Sequence, residues 1–171
     1  MYAITGHTDG IGKHLFQRLS PNVIGFSRTN GYDITKSQDI RRILDDADKC
    51  KVLINNAYCD FGQSNLLLEA FFRWKDKDKI IINIGSIIAE DGVDLKSHPD
   101  VGLLKYQMHK SSLKRLSSDL HNYGSILNVK YVWFGYVGTE QILKKYPNMS
   151  TEKYISVDEA VEKILEEINE L

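Results

Sequence analysis

The chain has 171 residues, of which 42% are hydrophobic and 26% are charged, and its net charge is −1. These values are ordinary for one soluble globular domain, and they exclude a strongly basic surface that would attract nucleic acid or an anionic membrane. The start of the chain is apolar but lacks a basic flank, and no stretch is long enough to cross a bilayer. We therefore predict a cytoplasmic location, with Cys50 and Cys59 free and a disulfide as the alternative.

Short apolar runs alternate with amphipathic segments along the chain, which is the pattern of βαβ units and a parallel sheet. In chain order, strands are predicted at residues 2–5, 23–26, 51–54, 80–84 and 126–133. Helices are predicted at residues 11–19, 37–49, 64–75, 103–123 and 157–168. The polar stretch 89–101 is predicted to be a loop, and Ser156 with Glu159 forms a capping box for the last helix. We expect one domain over residues 1–171.

The turn at residues 6–12 joins the first strand to the first helix, and this context makes its glycines informative. Gly6 permits a tight turn, Gly10 lets the backbone approach a pyrophosphate, and Gly12 lets the helix pack close to the strand. The free N–H groups at the start of the helix would then face the anion. The turn therefore predicts a dinucleotide-binding site, and a strand-to-helix loop with incidental glycines is the alternative.

The end of the second strand indicates which dinucleotide is bound. A free ribose 2′-hydroxyl usually meets an acidic side chain there, whereas this chain has Ser27 and Arg28, a hydroxyl and a cation that suit a 2′-phosphate. Asp9 argues the other way, because its carboxylate would repel that phosphate. NADP(H) is therefore the predicted cofactor and NAD(H) is the alternative. A purely solvated Arg28 is the competing interpretation.

Tyr106 and Lys110 stand four residues apart on a predicted helix, so they share one face. A lysine ammonium one turn from a tyrosine hydroxyl favours the phenolate, and such a tyrosine can exchange a proton with a carbonyl during hydride transfer. Ser86 follows the apolar strand 80–84, at the sheet edge where ligands bind in doubly wound folds. A surface Tyr/Lys pair and a serine that begins a loop are the structural alternatives.

Taken together and in order, these patterns resemble the short-chain dehydrogenase/reductase family. The matching motifs extend over most of the chain: Thr5-Gly6-xxx-Gly10-Ile11-Gly12, Asp33-Ile34-Thr35, Asn55-Asn56-Ala57, Asn83-Ile84-Gly85-Ser86, Tyr106-xxx-Lys110-Ser111-Ser112 and Gly135-x-Val137-x-Thr139. The resemblance implies an α/β fold, a Rossmann-like doubly wound parallel sheet of about six strands with helices on both faces.

The resemblance also implies roles for residues of this chain. Tyr106 would be the acid/base, Lys110 would contact the nicotinamide ribose and lower the pKa of Tyr106, and Ser86 would orient the substrate carbonyl. Asn65 is the candidate for an asparagine that organises a proton-relay water. The cofactor would lie against Gly6, Thr8, Asp9, Gly10, Ile11, Gly12, Ser27, Arg28, Asp33, Ile34, Asn55, Asn56, Ala57, Lys110, Gly135, Val137 and Thr139.

The chain departs from the family pattern at several places. The segment between Arg28 and Asp33 is too short for the usual helix and most of a strand, so we expect the sheet to be truncated at that edge. Tyr58 stands where a glycine is expected after the Asn-Asn-Ala motif, and its side chain would crowd the cofactor. Phe134 replaces an expected proline, and the usual last strand after the final helix is absent.

The substrate side of the predicted site draws on few residues. They are residues 86–88, Leu103, Tyr106, Met108, Tyr136 and a short segment at 140–151, which allows only a small lid. No Cys/His/Asp spacing matches a metal site, so no metal is expected. His98 and His109 are interpreted as structural or surface residues.

The predicted function is an NADP(H)-dependent oxidoreductase that interconverts a small carbonyl compound and its alcohol, with no nucleic-acid or membrane partner. A non-catalytic NADP(H)-binding module that serves as a sensor or scaffold is the alternative, and the short lid and Tyr58 favour it. An enzyme that performs an internal oxidation and reduction would need a larger C-terminal substrate region than this chain offers.

Apolar residues on two predicted helices indicate a homodimer, because family members commonly pair these helices across a two-fold interface. The residues are Leu67, Phe71, Phe72, Trp74, Leu113, Leu116 and Leu120. Burial inside a single chain is the alternative. A tetramer is less expected, because the last strand is absent.

Overall fold

The computed structural model describes residues 1–90, 101–148, 150 and 154–169. Within these residues, one parallel sheet contains β1 (Tyr2–Thr5), β2 (Val23–Phe26), β3 (Val52–Asn55), β4 (Ile80–Ile84) and β5 (Asn128–Val132). The strand order is β2-β1-β3-β4-β5, so successive strands are added in opposite directions on the two sides of β1. In open α/β sheets, ligands bind beyond the carboxyl ends of the strands at such a switch point.

The helices cover both faces of this sheet. They are α1 (Gly10–Leu19), α2 (Ser37–Asp46), α3 (Gly62–Trp74), α4 (Val101–His121), α5 (Glu140–Lys145) and α6 (Val157–Asn169). Residues of α2, α3 and α4 pack with Leu53 and Ile81, while residues of α1 and α6 pack with Ile54 and Ile82. These four sheet residues are at most 1% exposed. Because neighbours along a strand point to opposite faces, a strand covered on both sides must be apolar throughout.

This arrangement confirms the predicted doubly wound α/β class and the truncated edge, but it corrects the number of strands. In the described part of the chain the main sheet has five strands rather than about six. β2 is an edge strand, and only a short 3-10 turn, Arg28–Asn30, follows it. Two further strands, β6 (Tyr136–Val137) and β7 (Tyr154–Ile155), form a separate parallel pair. The sequence did not indicate them, because two-residue strands carry no periodicity.

The capping box predicted for α6 is confirmed. The Glu159 N–H donates to Ser156 Oγ at 3.1 Å, and the Ser156 N–H donates to a Glu159 carboxylate oxygen at 2.7 Å. This reciprocal pair satisfies two donors at the start of the helix. Of the predicted loop 89–101, residues 91–100 lie outside the described residues, and so does His98.

Most of the apolar residues proposed for a two-fold interface belong to the core of the chain instead. Leu67, Phe71, Trp74, Leu113 and Leu120 are all at most 8% exposed, and Leu116 packs partly buried against the same core. The alternative of burial within one chain is therefore right for these residues. Phe72 differs, because it is 67% exposed.

The two cysteines are free, as expected. Cys50 is buried, its thiol donates to the Tyr2 carbonyl oxygen at 3.4 Å, and burial raises the pKa of the thiol. Cys50 therefore belongs to the core and is a poor nucleophile. No helix in the described ranges is both long and apolar enough to cross a membrane.

Candidate active site

The turn between β1 and α1 is shaped by positions that carry no side chain. Gly10 begins α1 with φ at +52°, a backbone conformation that favours glycine. A Cβ atom at Gly12 would lie 2.1 Å from the Gly6 carbonyl oxygen, so no larger residue fits there. Gly6 itself lies against Ala57. The start of α1 therefore approaches the end of β1 closely, as the glycine pattern predicts.

A carboxylate and a second helix lie at the mouth of this turn. Asp9 is the N-cap of α1 and accepts a hydrogen bond from the Gly10 N–H at 2.7 Å. Gln141 in α5 donates its side-chain amide to the other carboxylate oxygen of Asp9. Thr139 is the N-cap of α5 and lies beside Gly10. One N–H at the helix start is therefore already bonded to a carboxylate, and α5 is tied to the turn.

The other two predicted residues of the turn differ in their surroundings. Thr8 is exposed, whereas Ile11 is partly buried and packs against the core on the α1 and α6 side. Ile11 therefore anchors the helix, and Thr8 is the residue that remains open to solvent.

Ser27 and Arg28, the residues predicted to meet a 2′-phosphate, have different surroundings. Ser27 is 8% exposed, its hydroxyl lies 2.7 Å from Thr29 Oγ1, and its N–H donates to Asn30 Oδ1 at 2.7 Å. The Ser27 side chain therefore shapes its own loop rather than facing a ligand. Arg28 is exposed at the start of the 3-10 turn, so it is the residue of the pair that remains available.

Asp33 and Ile34, predicted to flank the adenine, also hold local structure. Asp33 accepts from the Thr35 N–H at 2.9 Å and from the Thr35 hydroxyl at 2.8 Å, and these bonds lower the pKa of the Asp33 carboxyl. Ile34 is 5% exposed and fills the space beside Gly62, where a Cβ would lie 2.7 Å from Ile34 Cγ1. This contact brings the start of α3 close to the segment that follows β2.

The Asn-Asn-Ala motif ties the ends of neighbouring strands together at the switch point. The Asn56 side-chain amide donates to the carbonyl oxygens of Thr5 and Gly6 at 3.1 and 3.3 Å. Thr5 Oγ1 in turn accepts from the N–H groups of Asn56 and Ala57, both at 3.0 Å. Asn55 is fully buried and donates to Asn83 Oδ1 at 2.9 Å, which links β3 to β4.

Ser86 and Tyr106 lie close together at the carboxyl end of β4. Ser86 caps the 3-10 turn Ile87–Ala89, and its side chain is near enough to Tyr106 to lower the pKa of the phenol. Lys110 lies one turn further along α4, with Nζ 5.7 Å from the centre of the Tyr106 ring. The structure therefore brings together the three residues that the sequence predicts as a Ser/Tyr/Lys set.

The expected effect of Lys110 on Tyr106 needs a correction. Burial raises the pKa of Tyr106, and the nearby Ser86 side chain lowers it by less. Lys110 Nζ donates to Gln63 Oε1 at 2.7 Å and to the Ile84 carbonyl oxygen at 2.8 Å, so these N–H groups do not reach the phenol. Tyr106 is therefore protonated near neutral pH, which suits a proton donor.

Gln63, rather than Asn65, is the amide that reaches Lys110. The Asn65 side chain is exposed on α3, whereas Gln63 is 2% exposed and contacts the lysine. Lys110 is 3% exposed, and burial lowers its pKa to about 7. The sequence prediction missed Gln63 because it began this helix at residue 64, which left Gln63 in a loop. The sequence signal for this residue was its position directly after Gly62, because a small residue there lets the start of a helix be buried.

Tyr58 covers Lys110 from the loop that follows β3. Its ring centre lies 5.3 Å from Lys110 Nζ, and its ring meets the Tyr106 ring edge to face at 4.8 Å between centroids. The Tyr58 hydroxyl and His109 Nδ1 are hydrogen-bonded at 3.0 Å. The side chain that replaces the expected glycine therefore lies against both predicted catalytic residues, and His109, interpreted as structural, holds it there.

Tyr131 on β5 is a further residue of the site that the sequence did not indicate. Its hydroxyl accepts from the Ser86 N–H at 3.4 Å, and its ring occupies the space next to Gly85. Burial raises the pKa of Tyr131 to about 12, so it stays neutral. Gly85 was the available sign, because a side chain at that position would collide with this ring.

Of the predicted motif after β5, Thr139 lies beside the glycine turn. Val137 is 6% exposed and pairs with Ile155 between β6 and β7, while Gly135 is exposed. Thr139 accepts from the Ile142 N–H at 3.4 Å and starts α5 beside Gly10. Phe134, which replaces the expected proline, is buried in the core.

No family model matches the sequence, and no curated protein matches it. Solved structures match it over almost its whole length. A short-chain dehydrogenase from Burkholderia cenocepacia J2315 in complex with NADP is 22% identical, with a TM-score of 0.77 over 98% of this chain and 83% of the other. A short-chain dehydrogenase from Sphingobium yanoikuyae in complex with NADPH is 18% identical, with a TM-score of 0.71 over 99% of this chain and 84% of the other.

A third similar structure is the 3-ketoacyl-(acyl-carrier-protein) reductase from Brucella melitensis, complexed with NADH. It is 15% identical, with a TM-score of 0.74 over 96% of this chain and 88% of the other. These likenesses confirm the fold that the sequence resemblance implied: the chain has the fold of the short-chain dehydrogenases.

Proposed function

We propose that this chain is an NADP(H)-dependent oxidoreductase of the short-chain dehydrogenase/reductase family that interconverts a small carbonyl compound and its alcohol. The observation that carries the proposal is the proximity of Ser86 to Tyr106, with Lys110 one turn away and its Nζ 5.7 Å from the Tyr106 ring centre, at the carboxyl edge of the sheet. Two of the similar structures are complexes with NADP or NADPH and one with NADH. They support NADP(H) as the preferred cofactor, with NAD(H) as the alternative.

The residues of the glycine turn fit the phosphates of such a cofactor. Gly12 lets the start of α1 approach the end of β1, and the exposed Arg28 offers a cation for a 2′-phosphate. Thr139 lies beside Gly10 at the turn, and we expect the nicotinamide carboxamide to lie on that side. When bound, the reduced nicotinamide supplies a hydride to the carbonyl carbon of the substrate.

The remaining chemistry belongs to side chains of this chain. The hydroxyls of Ser86 and Tyr106 hold the substrate carbonyl oxygen between them. Tyr106 keeps its proton near neutral pH because burial raises its pKa, and it donates that proton to the oxygen as the alcohol forms. In the reverse direction Tyr106 has to be deprotonated first. The charge of Lys110, 5.7 Å from the ring, eases that step when the amine is protonated.

Exposed apolar side chains that follow β4 and β5 suit a carbonyl compound with apolar substituents. Ile87, Trp133, Tyr136 and Tyr146 are 36–48% exposed. The rings of Tyr136 and Tyr146 are 5.8 Å apart, so they form one aromatic wall between β6 and α5.

A second candidate function, a non-catalytic NADP(H)-binding module, is favoured by two observations. Tyr58 lies over Lys110, and Asp9 already binds the Gly10 N–H at the turn. Both contacts compete with groups that a cofactor would use. Such a module would bind the dinucleotide and read its redox state without turning over a substrate.

Thermal unfolding in the presence of NADPH or NADH tests the proposal. A ligand that binds only the folded state stabilises it by about 2.7 kcal/mol at a concentration of 100 times its Kd. We expect NADPH to raise Tm more than NADH, and a panel of aliphatic and aromatic ketones to consume NADPH. If neither dinucleotide raises Tm, the proposal is wrong. If NADPH binds but no carbonyl is reduced, the second candidate replaces the first.

We also propose that the protein acts in the cytoplasm as a homodimer. Leu68 and Phe72 on α3 share one helix face, as do Leu104 and Met108 on α4, and all four are 39–67% exposed. Helices α3 and α4 pack against each other. Light scattering at micromolar concentration tests the dimer, and the mass of a single chain would contradict it. We propose a dimer rather than a tetramer.

A further inference from the structure

We propose that Gln63 is a positioning residue of the active site, which holds Lys110 below Tyr106 and controls whether its amine is charged. The assignment rests on the proposed function, because Lys110 affects the reaction only where Tyr106 exchanges the proton. The hydrogen bond between Gln63 and Lys110 exists with or without that reaction, so the two ideas can fail separately.

Two backbone carbonyls fix the orientation of the Gln63 amide. Its Nε2 donates to the Asn55 carbonyl oxygen at 2.7 Å and to the Ile84 carbonyl oxygen at 3.2 Å. Because the nitrogen is bound to two acceptors, Oε1 must face the opposite way, and it accepts from Lys110 Nζ at 2.7 Å. The flipped amide would set an NH₂ group against the ammonium and leave both carbonyls without this donor.

The Gln63 backbone is also held in place by a hydrogen bond from the neighbouring strand β3. Asn55 Nδ2 donates to the Gln63 carbonyl oxygen and to Asn83 Oδ1, both at 2.9 Å. These bonds join the first turn of α3 to β3 and β4, and Gln63, Asn55 and Asn83 are at most 2% exposed. A buried network in which each bond supports the next is rigid, so Gln63 offers Lys110 a fixed acceptor.

Lys110 depends on dipoles rather than on a counter-ion. Its hydrogen-bond acceptors are Gln63 Oε1 and the Ile84 carbonyl oxygen, and within the described residues no carboxylate pairs with it. A buried ammonium without a carboxylate gives up its proton easily, and burial lowers the pKa of Lys110 to about 7. Gln63 Oε1 is the one side-chain oxygen among these acceptors, so it is the group that a substitution can change.

Among the residues that the structure describes, the other titratable groups close to Lys110 are phenols and one histidine. They are Tyr58 from the loop after β3, Tyr106 from α4, His109 behind Tyr58, and Tyr131 on β5 behind Tyr106. The ordinary pKa of a tyrosine is about 10, and burial raises the pKa of all three phenols. They therefore stay protonated between about pH 6 and 9. Lys110 therefore changes charge in a range where the neighbouring phenols do not.

Substitution of Gln63 by the nearly isosteric glutamate tests the assignment directly. Gln63→Glu places a carboxylate 2.7 Å from the amine, and an opposite charge at such a distance raises the midpoint of a lysine titration by about 1–3 pH units. The measurement is NMR of the full chain labelled with ¹³C at lysine Cε, followed from pH 6 to 11. The Lys110 signal is identified by its loss in Lys110→Met. Gln63→Leu removes the acceptor, so the midpoint is expected to fall below that of the unsubstituted protein.

Asn65→Asp is the matched control, because it adds the same charge to the same helix at an exposed position. We expect it to move the Lys110 midpoint by less than about 0.3 pH units, as exposed charges are screened. The assignment is overturned if Gln63→Glu leaves the midpoint unchanged, or if Asn65→Asp moves it as far. Gln63→Glu decides the matter alone where Gln63→Leu does not fold.

The pH profile of turnover separates this assignment from the proposed function. If both hold, the limb of the kcat profile that Lys110 controls moves with its NMR midpoint in Gln63→Glu. If NADPH binds no variant but the Lys110 midpoint still follows residue 63, the proposed function fails and the control of Lys110 charge by Gln63 stands. If turnover is normal and Gln63→Glu has the same pH profile as the unsubstituted protein, the positioning role of Gln63 is wrong. The proposed oxidoreductase function then stands.

Discussion

The glycine turn and the side chains around Lys110 lie at the same edge of the sheet but are built in opposite ways. We call the latter the Lys110 cluster; it contains Lys110, Gln63, Tyr58 and Tyr106. The turn depends on missing side chains: Gly12 allows the Gly6 carbonyl to approach, and the mouth of the turn is open to solvent at Thr8. The Lys110 cluster depends on side chains that bind one another, and Lys110 and Gln63 are at most 3% exposed.

This difference separates two kinds of functional site. Bare backbone is specified locally, because a glycine at one position is enough to permit a close approach. A buried ammonium is specified by the whole fold, because every acceptor around it has to arrive from another element. Changes at the turn should therefore act mainly through backbone sterics and ligand affinity, and changes at the cluster through protonation.

The largest effect is expected at the cluster, from Tyr106→Phe. Loss of a general acid reduces the rate by about 10²–10⁴-fold, so turnover of NADPH with a ketone should fall in that range while the NADPH-dependent rise in Tm persists. Tyr123→Phe is the control, since Tyr123 is 66% exposed and packs against Phe71, away from Ser86. Full activity of Tyr106→Phe would remove the acid/base role from this residue.

Lys110→Met tests whether protonation dominates at the cluster. The folded-state pKa of Lys110, about 7, lies below its ordinary value of 10.5, so between these values the unfolded chain binds the extra proton. The free energy of unfolding should therefore rise with pH by up to about 1.4 kcal/mol per pH unit over this window. We expect Lys110→Met to remove that slope in urea titrations at pH 7.5 and 9.5. An unchanged slope would mean that Lys110 is charged and well solvated.

Gly12→Ala is the corresponding test of the turn. The added Cβ would lie 2.1 Å from the Gly6 carbonyl oxygen, so α1 has to move away from β1. Overpacking of this kind costs about 1–3 kcal/mol of stability, which urea unfolding measures directly. Gly135→Ala is the stability control, because its Cβ would meet nothing within 4 Å. Equal stabilities of the two variants would show that the turn tolerates side chains.

Arg28→Ala tests whether Arg28 makes the protein prefer NADPH to NADH. Loss of a charge-assisted hydrogen bond to a 2′-phosphate costs about 1.5–3 kcal/mol, so the affinity for NADPH should fall by about ten- to a hundredfold. The affinity for NADH should change little, because NADH lacks that phosphate. Calorimetric titration with both dinucleotides measures the difference. An equal loss for both would assign Arg28 a role in folding or in general electrostatics.

The smallest effect is expected from Tyr58→Gly, which tests the ring that lies over Lys110. Removal of the ring uncovers Lys110, so NADPH should bind roughly two- to tenfold more tightly if Tyr58 has to move before the cofactor enters. Phe61→Ala is the control, because Phe61 belongs to the same loop and packs on His109. Weaker binding in Tyr58→Gly would instead make this ring part of the cofactor site.

Two site predictions show where local sequence patterns are insufficient. Asn65 is an amide on the correct helix, but its position on that helix points its side chain to solvent, and Gln63 lies inside. Two residues along a helix correspond to a rotation of about 200°, so an error of this size exchanges the buried and exposed faces. Tyr131 escaped notice because only the pairing of β4 with β5 sets it beside Ser86.

The sequence by itself determined the parallel sheet, its covering helices, the glycine turn and the order of the Ser, Tyr and Lys residues. These features follow from apolar periodicity, from glycine spacing and from the position of polar residues at strand ends, all of which are local. The tertiary structure alone decided which protons these residues hold. The hydrogen-bond acceptors of Lys110 come from α3 and β4, and the ring of Tyr58 lies over its amine. Burial raises the pKa of Tyr106. Charge states depend on the surrounding dielectric and on partners distant in sequence, and these exist only once the chain has folded.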